Sequence, residues 1–64
     1  MLVVGSSVRV LIIDDIKQFR AAARLIVLGE LGAPEITESA DGRSAVRLAE
    51  QLQPDLILLD IGLP

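Results

Sequence analysis

The sequence predicts an α/β fold in which two helices alternate with the three strands of a parallel sheet. Two apolar runs, Val10-Leu11-Ile12-Ile13 and Leu56-Ile57-Leu58-Leu59, carry no polar alternation, as expected of strands covered on both faces. Each run stops at acid, the first at Asp14-Asp15 and the second at Asp60. Between them lie two stretches with apolar residues at helical spacing, joined by short polar turns. Short loops and right-handed crossovers make a parallel sheet the natural assembly of a β-α-β-α-β order.

Met1 to Ser7 reads as a short leader, and the first strand is expected over 8–14. A helix follows over 16–31, with Phe19, Ala23, Ile26 and Val27 expected on its sheet-facing side. Gly32 suits the residue just past its end, and Pro34 prevents continuation. Residues 35–39 carry Ile36 and Thr37 amid polar neighbours, which fits an edge strand. Ala40-Asp41-Gly42 is a turn in which Asp41 can cap a second helix over 43–52. That helix places Ala45, Leu48, Ala49 and Leu52 on one face, and Gln53-Pro54 ends it. The third strand is expected over 55–60. Ala21, Leu25 and Leu28 form a second apolar stripe on the first helix, which implies another helix packing there.

At 64 residues the chain is one small domain at most, with little stability in reserve. Its 52% hydrophobic content is broken into runs far shorter than the ~18 residues of a membrane-spanning helix. No basic region followed by a long apolar run marks a signal peptide, so residence in the cytoplasm is expected. With no cysteine there is no disulfide framework and no thiolate metal site. A net charge of −3 argues against a nucleic-acid surface. The lack of histidine, tryptophan and tyrosine excludes imidazole catalysis and leaves little for base stacking.

The chemistry rests on the acids. A single Asp after a strand commonly does no more than end it and face water. An acidic pair and a third acid at the end of a neighbouring strand are different, because converging carboxylates repel one another unless a cation sits among them. Mg²⁺, a hard ion that takes oxygen ligands, is the expected occupant. Gly62, two residues after Asp60, permits close backbone approach. Other readings fail on the residues. A P-loop needs a Gly-rich loop with Lys-Ser/Thr where this chain reads Asp14-Asp15-Ile16-Lys17. A dinucleotide fold needs G-x-G-x-x-G at the same turn. A hydrolase with a nucleophilic Asp would want a second acid two residues on, where Gly62 stands.

At these residues the sequence resembles the receiver domain of bacterial two-component response regulators. The resemblance is carried by Val10 to Asp15, Phe19-Arg20, Ala40-Asp41-Gly42 and the run Pro54-Asp55-Leu56-Ile57-Leu58-Leu59-Asp60-Ile61-Gly62-Leu63-Pro64. It is closest to receivers that precede a helix-turn-helix output domain. It covers nearly the whole chain from Val8 but only the amino-terminal half of a receiver. The resemblance implies a flavodoxin-like half with strand order 2-1-3 across residues 1–64, and a signalling module rather than an enzyme. It implies Asp60 as phospho-acceptor from a histidine kinase. Asp15, Asp60 and the Gly62 carbonyl would be the direct Mg²⁺ ligands, with Asp14 acting through water. It further implies impaired phosphorylation, because the family's switch Ser/Thr and its Lys lie beyond these residues. A non-phosphorylated, self-associating fragment is the competing expectation. In either case a homodimer through the third-strand edge and the first helix is expected, with no nucleic acid and no membrane bound.

Overall fold

The computed structural model describes residues 8–60. Its elements run β1 (Arg9–Ile13), α1 (Lys17–Leu31), β2 (Glu35–Ser39), α2 (Gly42–Leu52) and β3 (Leu56–Leu59). The sheet order is β2-β1-β3, and both neighbours of β1 run parallel to it. The strand ends fall a residue inside the expected bounds for β1 and β3, while β2 matches them. The leader at 1–7 and the residues 61–64, Gly62 included, lie outside the described residues.

β1 is the centre because it is apolar on both faces. Val10 and Ile12 point to one side and pack with Val27 of α1, joined by Ala23, Ile36 and Leu58. Leu11 and Ile13 point to the other and pack with Ala45 of α2, joined by Leu48 and Ala49. The chain steps out from β1 to β2, then back past β1 to β3, so like-handed crossovers put the two helices on opposite faces. Ala45, Leu48 and Ala49 of the expected α2 face thus meet the sheet, while Leu52 joins neither core cluster.

The expected face of α1 is only half right. Ala23 and Val27 reach the sheet, but Phe19 and Ile26 are 59% and 66% exposed. Each lies about a quarter-turn around the helix from Val27 at 100° per residue. The stripe that meets the sheet is instead Arg20, Ala23 and Val27. Leu25 and Leu28 are exposed, as the second stripe requires.

The burial expected for the third strand is also corrected. Leu56, Ile57 and Leu59 are 40%, 46% and 57% exposed, and only Leu58 packs into a core cluster. The cause is position: among the described residues β3 is an edge, and both helices lie chiefly over β1. Its unbroken apolar run shows affinity for burial on both faces, which the described residues do not provide.

The helix ends are explained by local chemistry. Ile16, at the start of α1, offers no side-chain cap. Its N–H instead donates to Asp14 Oδ1 at 2.9 Å, closing a two-residue Asx-type turn. Gly32 ends α1 at φ 77°, where a side chain would be strained. Gln53 ends α2 at φ 50° without being glycine. Its N–H donates to the Ala49 carbonyl at 3.1 Å and its side-chain amide to that of Glu50 at 3.0 Å. Two otherwise orphaned helix carbonyls are thereby satisfied.

Asp41 caps α2 as expected: its Oδ1 accepts the Ser44 N–H at 2.7 Å and its Oδ2 the Ser44 hydroxyl at 3.1 Å. The backbone bond from Ser44, then the hydroxyl, holds the Asp41 carboxyl below its ordinary 3.8. A lowered carboxyl pKa means stability present above the ordinary value and lost as pH falls through the folded one. Asp41→Ala should therefore lower the melting temperature at neutral pH, and the difference from the parent should shrink as pH falls below the ordinary carboxylate range. Asp41→Asn should retain most of the cap while losing this pH dependence; circular dichroism melts across pH check both.

Candidate metal centre

Two backbone bonds beyond the formal strands build the site. Register pairs Ile13 with Ser39 on one side and Leu59 on the other. The next N–H on each ladder continues the pairing: Asp14 donates to the Ser39 carbonyl at 3.1 Å and Asp60 to the Ile13 carbonyl at 2.9 Å. Asp14 and Asp60 therefore leave adjacent strands side by side, at the carboxyl edge where open α/β sheets take their ligands. Asp15 follows in the turn. One carboxylate oxygen from each of Asp14, Asp15 and Asp60 lies within 4.8 Å of the other two. Asp14 and Asp60 are half-buried and Asp15 is exposed. Asp14 and Asp60 also rim a cleft of about 300 Å³ walled by Ala23 and Leu58.

All three acids named from the sequence are thus brought together; Gly62 falls outside the described residues. The donor set suits a hard divalent cation. Oxygens about 2.1 Å from a common Mg²⁺ stand at most about 4.2 Å apart, close to the 4.8 Å within which these three lie. One oxygen of Asp14 is already engaged by the Ile16 amide.

Sequence reasoning missed the groups around the acids. Ser39 is buried, and its hydroxyl donates to the Asp41 carbonyl at 2.9 Å, fixing the turn after β2. Arg20 Nη1 donates to the Asp14 carbonyl at 2.7 Å and its Nε to Glu38 Oε1 at 3.2 Å. Arg24 takes the other Glu38 oxygen at 2.8 Å. The available signal was two arginines four residues apart, placed one above the other on a helix.

A parallel sheet with a helix on each face and three converging acids at its carboxyl edge defines an α/β module with a candidate cation site. The family model described as the response regulator receiver domain matches residues 10–64, and the chain belongs to that family. It is 36% identical to the transcriptional regulatory protein DegU of Brevibacillus brevis, over 92% of this chain and 25% of that protein. It is 40% identical to the nitrate/nitrite response regulator protein NarL of Escherichia coli strain K12, over 86% of this chain and 26% of that protein. A protein-glutamate methylesterase/protein-glutamine glutaminase of Alkalilimnicola ehrlichii is 39% identical over 89% of this chain but only 15% of its own length. The chain spans about a quarter or less of these relatives. No solved structure matches it significantly. Among the described residues, no helix is long and apolar enough to cross a membrane. Receiver domains bind Mg²⁺ at an acidic site and take part in phosphorelay signalling with histidine kinases.

Titrating Mg²⁺ into the chain should shift the amide resonances of residues 14–16 and 60 and leave those of α2 unmoved. Asp15→Asn should weaken the apparent affinity about tenfold or more, since affinity follows the number of charged ligands.

Proposed function

We propose that Asp60 is the phospho-acceptor of a phosphorelay and that Asp15 and Asp60 hold Mg²⁺ directly, with Asp14 bridging through water. The observation that carries this reading is the convergence of the three carboxylates at the ends of adjacent parallel strands. Asp14, with one oxygen committed to Ile16, fits the water-mediated role. The Gly62 carbonyl is proposed as a further ligand.

In the proposed step an Asp60 carboxylate oxygen attacks phosphorus on the kinase's phosphohistidine. The O–P bond forms as the N–P bond breaks, and the imidazole leaves with a proton from solvent. Mg²⁺ supplies charge neutralisation on the phosphoryl oxygens, which is most of what such a transfer asks of a protein. Asp15 holds negative charge beside the acceptor, and the exposed mouth of the site leaves the donor an approach. Residence in the cytoplasm, where kinase and Mg²⁺ meet, accords with this reading.

Acetyl phosphate with Mg²⁺ should label Asp60 slowly, and Asp60→Asn should abolish the label in intact-mass analysis. Slow labelling is expected because Lys17, in α1, is not the family's pairing lysine, and neither that Lys nor the switch Ser/Thr has a counterpart in these residues to meet the phosphoryl group. Metal-dependent labelling also separates this reading from that of a non-phosphorylated assembly fragment.

We further propose that β3 is an association edge for a second copy. Its backbone has no outer partner strand among the described residues, and Leu56, Ile57 and Leu59 stay exposed beside an apolar cleft of about 320 Å³. Such an edge recruits another chain, and a two-fold axis would bring identical patches together. Sedimentation equilibrium of the 64-residue chain should then give a mass above 6.8 kDa. Leu59→Lys should return it to the monomer. Leu59 is the better probe because Leu58 packs into the core. A monomeric, well-folded parent would overturn the proposal.

A further inference from the structure

Arg20 sits where three elements meet. Its side chain is 16% exposed, against 44% for Arg24. Glu38 of β2 gives one oxygen to each arginine, so Arg20 is anchored to the sheet by a charge-assisted bond. The remaining arm of Arg20 meets the Asp14 carbonyl at 2.7 Å, the shortest of its contacts. That carbonyl has left the ladder: Asp14 N–H pairs with β2, but the next peptide begins the turn.

The peptide plane explains why this carbonyl matters. Asp14 C=O and Asp15 N–H belong to one planar unit. Fixing the oxygen fixes the direction in which the chain enters Asp15, and with it the reach of the Asp15 carboxylate. Arg20 alone bonds this plane directly, through its oxygen, while the peptide before it is held by the Asp14 N–H on the Ser39 carbonyl and the peptide after it by the Ile16 N–H on Asp14 Oδ1.

We propose that Arg20 is the positioning residue of the metal centre. Pinned by Glu38, it orients the Asp14–Asp15 peptide so that the Asp15 carboxylate meets that of Asp60. The inference deepens the reading of the three acids as a cation site and rests on it.

The alternative roles of Arg20 make opposite forecasts. As a mere nearby positive charge it would oppose Mg²⁺, and its removal would tighten binding. As a positioning group its removal weakens binding, about tenfold by analogy with other groups that orient metal ligands. The experiment is a Mg²⁺ titration of the 64-residue chain followed by amide resonances, with Arg20→Ala, Arg20→Lys and Arg24→Ala. Arg20→Ala should weaken binding about tenfold. Arg20→Lys keeps the charge, but one ammonium cannot reproduce a fork aimed at two acceptors, so it should also weaken binding. Arg24→Ala, which leaves the Asp14 contact intact, should stay within about twofold. Without metal, the Ile16 amide should exchange faster in Arg20→Ala than in the parent. Binding as tight as the parent's or tighter in Arg20→Ala overturns the inference, as does an equal loss in Arg24→Ala. If Arg20→Ala loses its dispersed spectrum, Arg20→Lys decides alone: parental affinity refutes positioning, weakened affinity supports it. A parent that shows no Mg²⁺-dependent shift refutes the cation site itself and the inference with it. A parent that binds while every Arg20 variant binds equally refutes only the positioning role.

Discussion

The acidic edge depends on one constraint: β1 is held on both sides by parallel partners whose pairing runs one residue past the formal strands. Parallel bonds are evenly spaced and slanted, so the last N–H of each ladder can come from the residue that begins the following turn. Here those residues are Asp14 and Asp60. Their side chains depart from backbones already fixed by hydrogen bonds, and the buried apolar run beneath them keeps those backbones from shifting. Three like charges can be gathered only where the scaffold below resists their repulsion. Val10, Leu11, Ile12 and Ile13, each no more than 5% exposed, are that scaffold.

The opposite edge of the sheet is secured differently. Arg9 N–H donates to Asp55 Oδ2 at 2.8 Å, and its guanidinium reaches the Leu52 carbonyl at 3.1 Å. The Asp55 N–H returns to the Arg9 carbonyl at 2.8 Å. The entry to β3 is thus tied to the entry to β1 by polar groups whose charges are partly matched, since Arg9 also lies 3.5 Å from Glu35. Near the acids, Arg20 and Arg24 are engaged by Glu38, and Arg20 also by the Asp14 carbonyl.

Much of this was legible in the sequence. Unbroken apolar runs ending in acid marked β1, β3 and the three acids that converge, whereas β2 was read from its polar setting and the strand order from the family resemblance. Asp41 was legible as a cap because capping is local. What escaped depends on distance. Glu38 and Arg20 lie 18 residues apart and meet only after α1 folds back over the sheet. Phe19 and Ile26 were misplaced because spacing shows which residues share a side of a helix, not how wide a strip the sheet will cover. The exposure of β3 was hidden for a related reason: an apolar run reports a preference for burial, and an edge position withholds it.

The double-sided burial of β1 has a further consequence. In most half-buried strands a shift by one residue would turn polar groups inward, and that penalty sets the alignment. β1 carries no such safeguard, because Val10 and Ile12 could change places with Leu11 and Ile13 and stay apolar. It is held at its two ends, by Arg9 on Asp55 and Leu52 and by Asp14 on Ser39 and Ile16. At the acidic end the ladder bond is a backbone N–H that most residues would supply. The side chains that mark one alignment of an otherwise ambiguous strand are therefore Arg9 and Asp55 at the other end. Folding specificity and the acid cluster thus sit at opposite ends of the same strand.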